Sequence, residues 1–456
     1  MKTISINKCL LLFILIISVG WVGAASAADT KKVDTKKAES YFQEGNKALQ
    51  KDKKDEAIAS YTKAIETNPD YQDAYYNRGV IYVQTNRYDE AIADFTRVIE
   101  INPKAADAYA TRASLYISKG KLDEAVADYG KAIESNPQDS DAYYKRGIIY
   151  YTKNKYDLAI ADFSKTIELK PTFADAYSNR AYAYCGTGQY DLCVKDFNKA
   201  LEINPAYTKA YFGRGIGYLG KQNYDSAITD LTKALEIDPK SGNAYLFRGQ
   251  AYSGKRDFDM AISDFSKAVA LSPKLAGGYS GRGNAYIGKQ NYDSAIADFT
   301  QAIELNPKSV DAYYGRASAY NNKGNYDLAI PDFTKVLELN PKAAEAYYGR
   351  GIAYNNKDKA ELAIPDFGQA IELSPKFGDA YFGRGTSYTS LMKKDAAIPD
   401  FIKAIELNPG NVTAYISLGD CYNETNQLDL AIENYNKAIE LDPKSGKAYY
   451  YRAFVD

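Results

Sequence analysis

Residues 311–341 read DAYYGRASAYNNKGNYDLAIPDFTKVLELNP, and the fold follows from how that stretch is punctuated. Its apolar residues recur three and four apart on either side of a break at residues 322–325, NKGN. That is the spacing of two antiparallel helices joined by a tight turn. Asp327 opens the second helix as a cap or first-turn acid. Pro341 closes it, because a proline has no N–H to donate to another turn.

The stretch is one copy of many. Proline falls at 69, 103, 137, 171, 205, 239, 273, 307, 341, 375, 409 and 443, a constant interval of 34 (103 − 69). Tyr75, Tyr109, Tyr143 and Tyr177 keep the same phase, as do Ala91, Ala125 and Ala159. A fixed period of this size marks a stacked array of supersecondary units, each too small to bury its own apolar face. Twelve units run from residue 38 to 445, after a charged stub at 28–37 and before one helix of a thirteenth unit at 446–456. If the recurrent proline is position 32 of a unit, large residues fall at positions 4, 11 and 24 and small ones at 8, 20 and 27. The pattern resembles the tetratricopeptide repeat, whose motif Tyr313, Ala317, Tyr320, Ala329, Phe333 and Pro341 match in this copy. The resemblance implies an all-α fold: an α-solenoid of antiparallel helix pairs forming a right-handed superhelix that binds proteins or peptides, usually with no chemistry of its own.

One departure from the family pattern is systematic. Position 7, usually aliphatic, is arginine at 78, 112, 146, 180, 214, 248, 282, 316, 350 and 384, and position 23 is aspartate in the same units, from Asp94 to Asp400. The first and last units lose both partners together, having Glu44 with Ser60 and Leu418 with Asn434. In a hairpin that turns near position 15 or 16, positions summing to about 31 face each other, so Arg316 should meet Asp332. A pair repeated in this way is a strut, since a catalytic site gathers dissimilar residues once. Pro331, Pro365 and Pro399 share position 22, just after the expected cap, where a proline should delete about the first intrahelical bond and alter the helix start.

Composition narrows the function. Lys plus Arg total 57 against 58 Asp plus Glu, without the basic surplus that nucleic-acid binding requires. Histidine is absent, which removes the commonest general base and metal ligand. No zinc-ligand spacing, phosphate loop, nucleophile elbow or paired-carboxylate constellation interrupts the repeats, so we expect no enzyme, no metal and no cofactor. Lys2 and Lys8 precede an uncharged run, Cys9–Ala28, with small residues at Ala25 and Ala27. Residues 1–27 read as an export signal, with periplasmic or extracellular location; an uncleaved inner-membrane anchor is the other reading. Cys185 and Cys193, at positions 12 and 20 of one unit, should face each other, either as a disulfide or as two small buried thiols. The chain closes on AYYYRAFVD, read either as a short solvating cap helix or, being too aromatic for the polar cap that arrays usually carry, as the edge of a fragment of something longer.

A binding face can be placed from the same register. If positions 4, 8 and 11 face the hairpin core, the stripe at 2, 5, 9, 12 and 13 lies away from it, and the resemblance implies that this stripe lines the concave groove. Position 5 carries Phe42, Tyr76, Tyr144, Phe212, Tyr314, Tyr348 and Phe382; position 9 adds Ile148, Tyr182 and Ile352; position 12 has Asn321 and Asn355. Position 2 is mostly acidic, as at Asp73, Asp141 and Asp311. These residues suit a protein or peptide segment with apolar and basic side chains, unless the rings bury themselves against neighbouring units. Alanine at Tyr314, Tyr348 and Phe382 should then weaken binding and leave melting nearly unchanged. Two other functions fit the same chain: an accessory subunit of envelope polysaccharide synthesis or export, and the repeat arm of a larger enzyme.

Overall fold

A computed structural model describes residues 34–455. The export signal expected at 1–27 and most of the stub lie outside the described residues. Among the described residues every regular element is an α-helix, and none is long and apolar enough to cross a membrane. The chain forms two compact units that divide after Pro137. In the first, Thr35–Gln50 pairs with Lys54–Thr67, Gln72–Gln84 with Tyr88–Ile101, and Ala106–Ser118 with Leu122–Ser135. In the second, consecutive helices pair from Ser140–Thr152 with Tyr156–Leu169 through Val412–Glu424 with Leu428–Leu441, and Gly446–Arg452 packs on the last of these. Each first helix ends at a residue of positive φ at position 15. It is glycine at 120, 188 and 324, but Arg256 and Met392 take the same conformation, so this left-handed cap is held by the hairpin rather than by glycine alone.

The core is a row of rings. Position 24 holds Phe95, Phe163, Phe197, Phe265, Phe299, Phe333, Phe367 and Phe401, with Tyr61, Tyr129 and Tyr435 in other copies, all fully buried. Glycines at positions 8 and 6 explain how such a ring fits. A Cβ on Gly351, in the same unit as Phe367, would lie 2.9 Å from its ring, and one on Gly383, in the next unit, 2.7 Å from it. The ring is therefore clasped between two backbones, one of its own repeat and one of the next.

Arginine and aspartate meet as a strut in all ten copies. Arg316 Nε donates to Asp332 Oδ2 at 2.7 Å and Nη2 to Oδ1 at 2.9 Å, the two-pronged geometry a guanidinium offers a carboxylate. Hydrogen bonding to Asp332 raises the Arg316 pKa above its ordinary value, against the lowering that burial imposes. The third nitrogen does something that the two-column reading did not contain. Arg316 Nη1 donates to Thr300 Oγ1 of the preceding unit at 3.1 Å, and Thr300 Oγ1 itself donates to the carbonyl of Ile296. The same reach joins Arg78 to Thr62, Arg180 to Ser164, Arg214 to Asn198 and Arg248 to Thr232. Arg384 meets Gly368 there and lacks the bond. The strut thus ties helix to helix within a unit and unit to unit along the stack.

Proline at position 22 acts differently from the expectation. Pro331 is the sixth residue of Tyr326–Leu339, so the bond it deletes is the one to the carbonyl of Asp327, in the second turn rather than the first. The helix start is altered all the same. Leu328, Leu362 and Ala396 donate three residues back to Asn325, Lys359 and Lys393 in addition to the usual four-residue bond. Tyr156–Leu169, which has neither proline nor a side-chain cap, enters with the four-residue bond from Ala159 to Lys155. The crowded carbonyl one turn before the ring tightens the first turn towards 3₁₀ geometry.

Cys185 and Cys193 are joined by a disulfide. Cys421 is a buried free thiol whose pKa is pushed up to about 11 by burial, with Asp420 and Glu424 adding to the rise against Lys394. At pH 8 only about one such thiol in a thousand is thiolate. Iodoacetamide should therefore leave Cys421 unmodified in the folded chain and label it in urea; mass mapping of rapid labelling without denaturant would contradict this burial.

Candidate binding face

The expected face is built from first helices. In the second unit Thr208–Gly220, Gly242–Gly254, Ala276–Gly288, Val310–Asn322 and Ala344–Asn355 each touch the next first helix as well as their own partners. Their outward residues thus form one continuous wall. The position 5 rings stand on that wall, but they are not free-standing. Tyr314 packs edge-on against Phe333 (centroids 5.8 Å apart), while Tyr348 lies tilted on Phe367 and Phe377 (5.8 and 4.8 Å) and Phe382 tilted on Phe401 (5.7 Å). Tyr144 sits on Phe163 and Phe173, and Phe212 on Phe247. In the first unit Phe42 lies on Tyr61 and Tyr71, and Tyr76 on Phe95. Each ring is half-buried, one side on the core and one side open. Tyr314 keeps 38% of its surface exposed and Ile148 37%. Truncation to alanine would strip packing from the core, so the expectation that melting stays nearly unchanged does not fit these contacts.

Other residues of the expected site divide between structure and face. Tyr182 packs on Phe197 and its hydroxyl donates to the carbonyl of Lys209, and burial pushes its pKa well up. Asn355 accepts from Ser387 Oγ at 2.8 Å and so staples first helices together. Asn321 does half of each. Its Nδ2 donates to the carbonyl of Gly349 at 2.9 Å, while its Oδ1 is buried with no hydrogen-bond partner. The buried side-chain polar atoms without partners among the described residues are Asn321 Oδ1, Ser253 Oγ and Ser178 Oγ, at positions 12, 12 and 5. All three belong to the stripe, and a buried polar atom without a partner is costly unless something else bonds it.

Two hollows open along the wall. One, of about 290 Å³, brings together Tyr314, Asn321, Tyr348, Ile352 and Glu345. The other, of about 480 Å³, is lined by Ser253, Phe265, Ser280, Gly281, Asp311 and Tyr314 among others. Of this second hollow, Tyr314 and Asp311 were marked by sequence. The signal for the space itself was a deficit, Gly277 and Ser280 where both neighbouring units carry larger residues.

Comparisons with known proteins agree with this architecture. Profiles described as "Tetratricopeptide repeat" match residues 42–106, 140–173, 174–207, 208–241, 242–275, 310–343, 344–377, 378–411 and 412–445, and one described as "TPR repeat" matches 113–154 and 283–324. Among solved structures, the Cut9–Hcn1 hetero-tetramer of APC/C is similar at 14% identity over 92% of this chain and 96% of that one, with a TM-score of 0.46. MamA is similar at 30% identity over 38% of this chain and 95% of its own, with a TM-score of 0.36. YrrB, described as a TPR protein with an unusual peptide-binding site, is 26% identical over 40% of this chain and 95% of its own, with a TM-score of 0.37. No curated protein matches the chain.

Proposed function

The chain belongs to the tetratricopeptide-repeat family, and on that basis we propose that it is a non-enzymatic interaction scaffold, working outside the cytoplasm, that holds an extended protein or peptide segment along its wall of first helices. The observation that carries this reading is the run of half-open position 5 rings along one continuous wall of first helices. Rings offer contact area at low entropy cost. The stub, the array at 38–445 and the last half unit at 446–456 belong to the same proposal, with twelve repeats and a leader at 1–27 that directs export.

Leucine, rather than alanine, separates binding from folding here, because Leu246 and Ile416 already occupy position 5 in other units. Replacing Tyr314, Tyr348 and Phe382 together by leucine should keep helicity and melting close to the parent. Capture of the partner from envelope extracts should weaken at least tenfold, about 1.4 kcal/mol. Equal capture by parent and variant would remove the binding face from this wall.

A further inference from the structure

The larger hollow has a chemical character of its own. It lies where three successive units carry Leu246, Ser280 and Tyr314 at position 5 and Asn243, Gly277 and Asp311 at position 2. The middle unit contributes no bulky side chain, which leaves the space of about 480 Å³. Phe265 forms its floor. That ring is fully buried in the core, yet it reaches the hollow because Gly281 covers it without a side chain; a Cβ there would lie 2.6 Å from the ring. Tyr314 stands beside it with its ring partly open.

Polar groups in the hollow are asymmetric. Asp311 is the one charged residue of the lining, and it makes no ion pair or hydrogen bond with any described side chain. At the same position Asp141 binds Lys170 Nζ at 2.8 Å and Asp175 accepts from the Tyr207 hydroxyl, whereas Asp73, Asp107, Glu345 and Asp379 are open like Asp311. Ser253 Oγ, on the opposite flank, is buried without a partner. An exposed carboxylate at the first turn of a helix is ordinary by itself. Here it adjoins the partly open Tyr314 ring and an unfilled space.

We propose that this hollow is a subsite for one basic side chain of the bound segment, an arginine in the best fit. Its apolar stem would enter the space beside Gly277 and Ser280, and its guanidinium would meet Asp311 while stacking on the open side of the Tyr314 ring. A neutral side chain of the same length leaves Asp311 without its counter-charge, so the subsite selects for charge rather than for size. The inference rests on the reading of the wall as a binding face and adds what one position of the ligand must be.

The test uses the full chain and two small probes, N-acetyl-arginine amide and its neutral isostere N-acetyl-citrulline amide, followed by ligand-observed saturation-transfer NMR. The arginine probe should bind at least about tenfold more tightly than the citrulline probe. Asp311→Asn and Ser280→Tyr should each remove that preference. Both variants copy residues that sister units already carry, Asn243 and Tyr314, so melting should hold; if Ser280→Tyr unfolds, Asp311→Asn decides alone. Equal binding of the two probes, or an arginine preference that survives Asp311→Asn, would overturn the subsite. Failure of the subsite with capture still lost in the leucine variant leaves the binding face intact. Success of the subsite with capture unaffected by that variant would overturn the face instead.

Discussion

Replacing Arg248 by methionine should destabilise the array by about 3 kcal/mol or more, and replacing Asp264 by leucine in the same chain should recover part of that loss. Arg248 Nε and Nη2 hold Asp264 at 2.7 and 2.9 Å, and Asp264 is only 1% exposed. Taking the arginine away leaves a carboxylate without its partner in a place where water cannot replace it. Taking both away leaves two apolar side chains facing each other, and the desolvation cost disappears with the charges. The third bond, Arg248 Nη1 to Thr232 Oγ1 at 2.9 Å, adds a smaller inter-unit loss, so Thr232→Ala should cost about 0.5–1.5 kcal/mol. In a linear array such a loss loosens the junction between neighbours before it unfolds distant units. Urea unfolding of the single and double variants gives the coupling energy, expected at about 0.5–3 kcal/mol. A coupling of zero would show that the ten struts are geometry without energy.

Replacing Phe367 by alanine should cost about 3–5 kcal/mol, because it empties a space bounded on both sides by backbone. The ring lies between Gly351 and Gly383, and neither glycine has a side chain that could move in to fill the void. The same geometry predicts a reciprocal effect. Gly383→Ala should destabilise by about 1–3 kcal/mol through overpacking, and adding Phe367→Leu should return part of that loss, since the smaller side chain makes room for the new methyl. Thermal melts of the three variants and the parent check the set. Additive losses in the Gly383→Ala, Phe367→Leu chain would contradict the clasp.

Much of this architecture was legible in the sequence because repetition averages away local accident. A proline every 34 residues fixed the unit, and the summed positions placed Arg316 opposite Asp332 and Cys185 opposite Cys193, where the structure has them. What escaped was whatever depends on the neighbouring unit. Arg316 Nη1 reaches Thr300 across the junction, a contact that hairpin arithmetic within one unit cannot contain, although the hydroxyls recurring at Thr62, Thr96, Thr232, Thr300 and Thr334 were its trace. Pro331 was placed correctly in the chain but one turn too early in its helix, because the helix starts at Tyr326, just after Asn325. On the expected face Tyr314 and Tyr348 line a hollow, while Asn355 and Tyr182 bond to the next first helix. Sequence spacing gives the side of a helix that a residue occupies, and it is silent on whether the next helix has already taken that residue's hydrogen bonds.

The most direct measurement of the central claim is selection of binders from a random peptide library on the immobilised full chain, in parallel with the Tyr314→Leu, Tyr348→Leu, Phe382→Leu variant and with Asp311→Asn. The parent should enrich segments that combine apolar residues with at least one arginine. The leucine variant should lose the enrichment, and Asp311→Asn should keep apolar segments while losing the arginine. Enrichment that is the same for the parent and the leucine variant would contradict the assignment of this wall as the surface through which the protein acts.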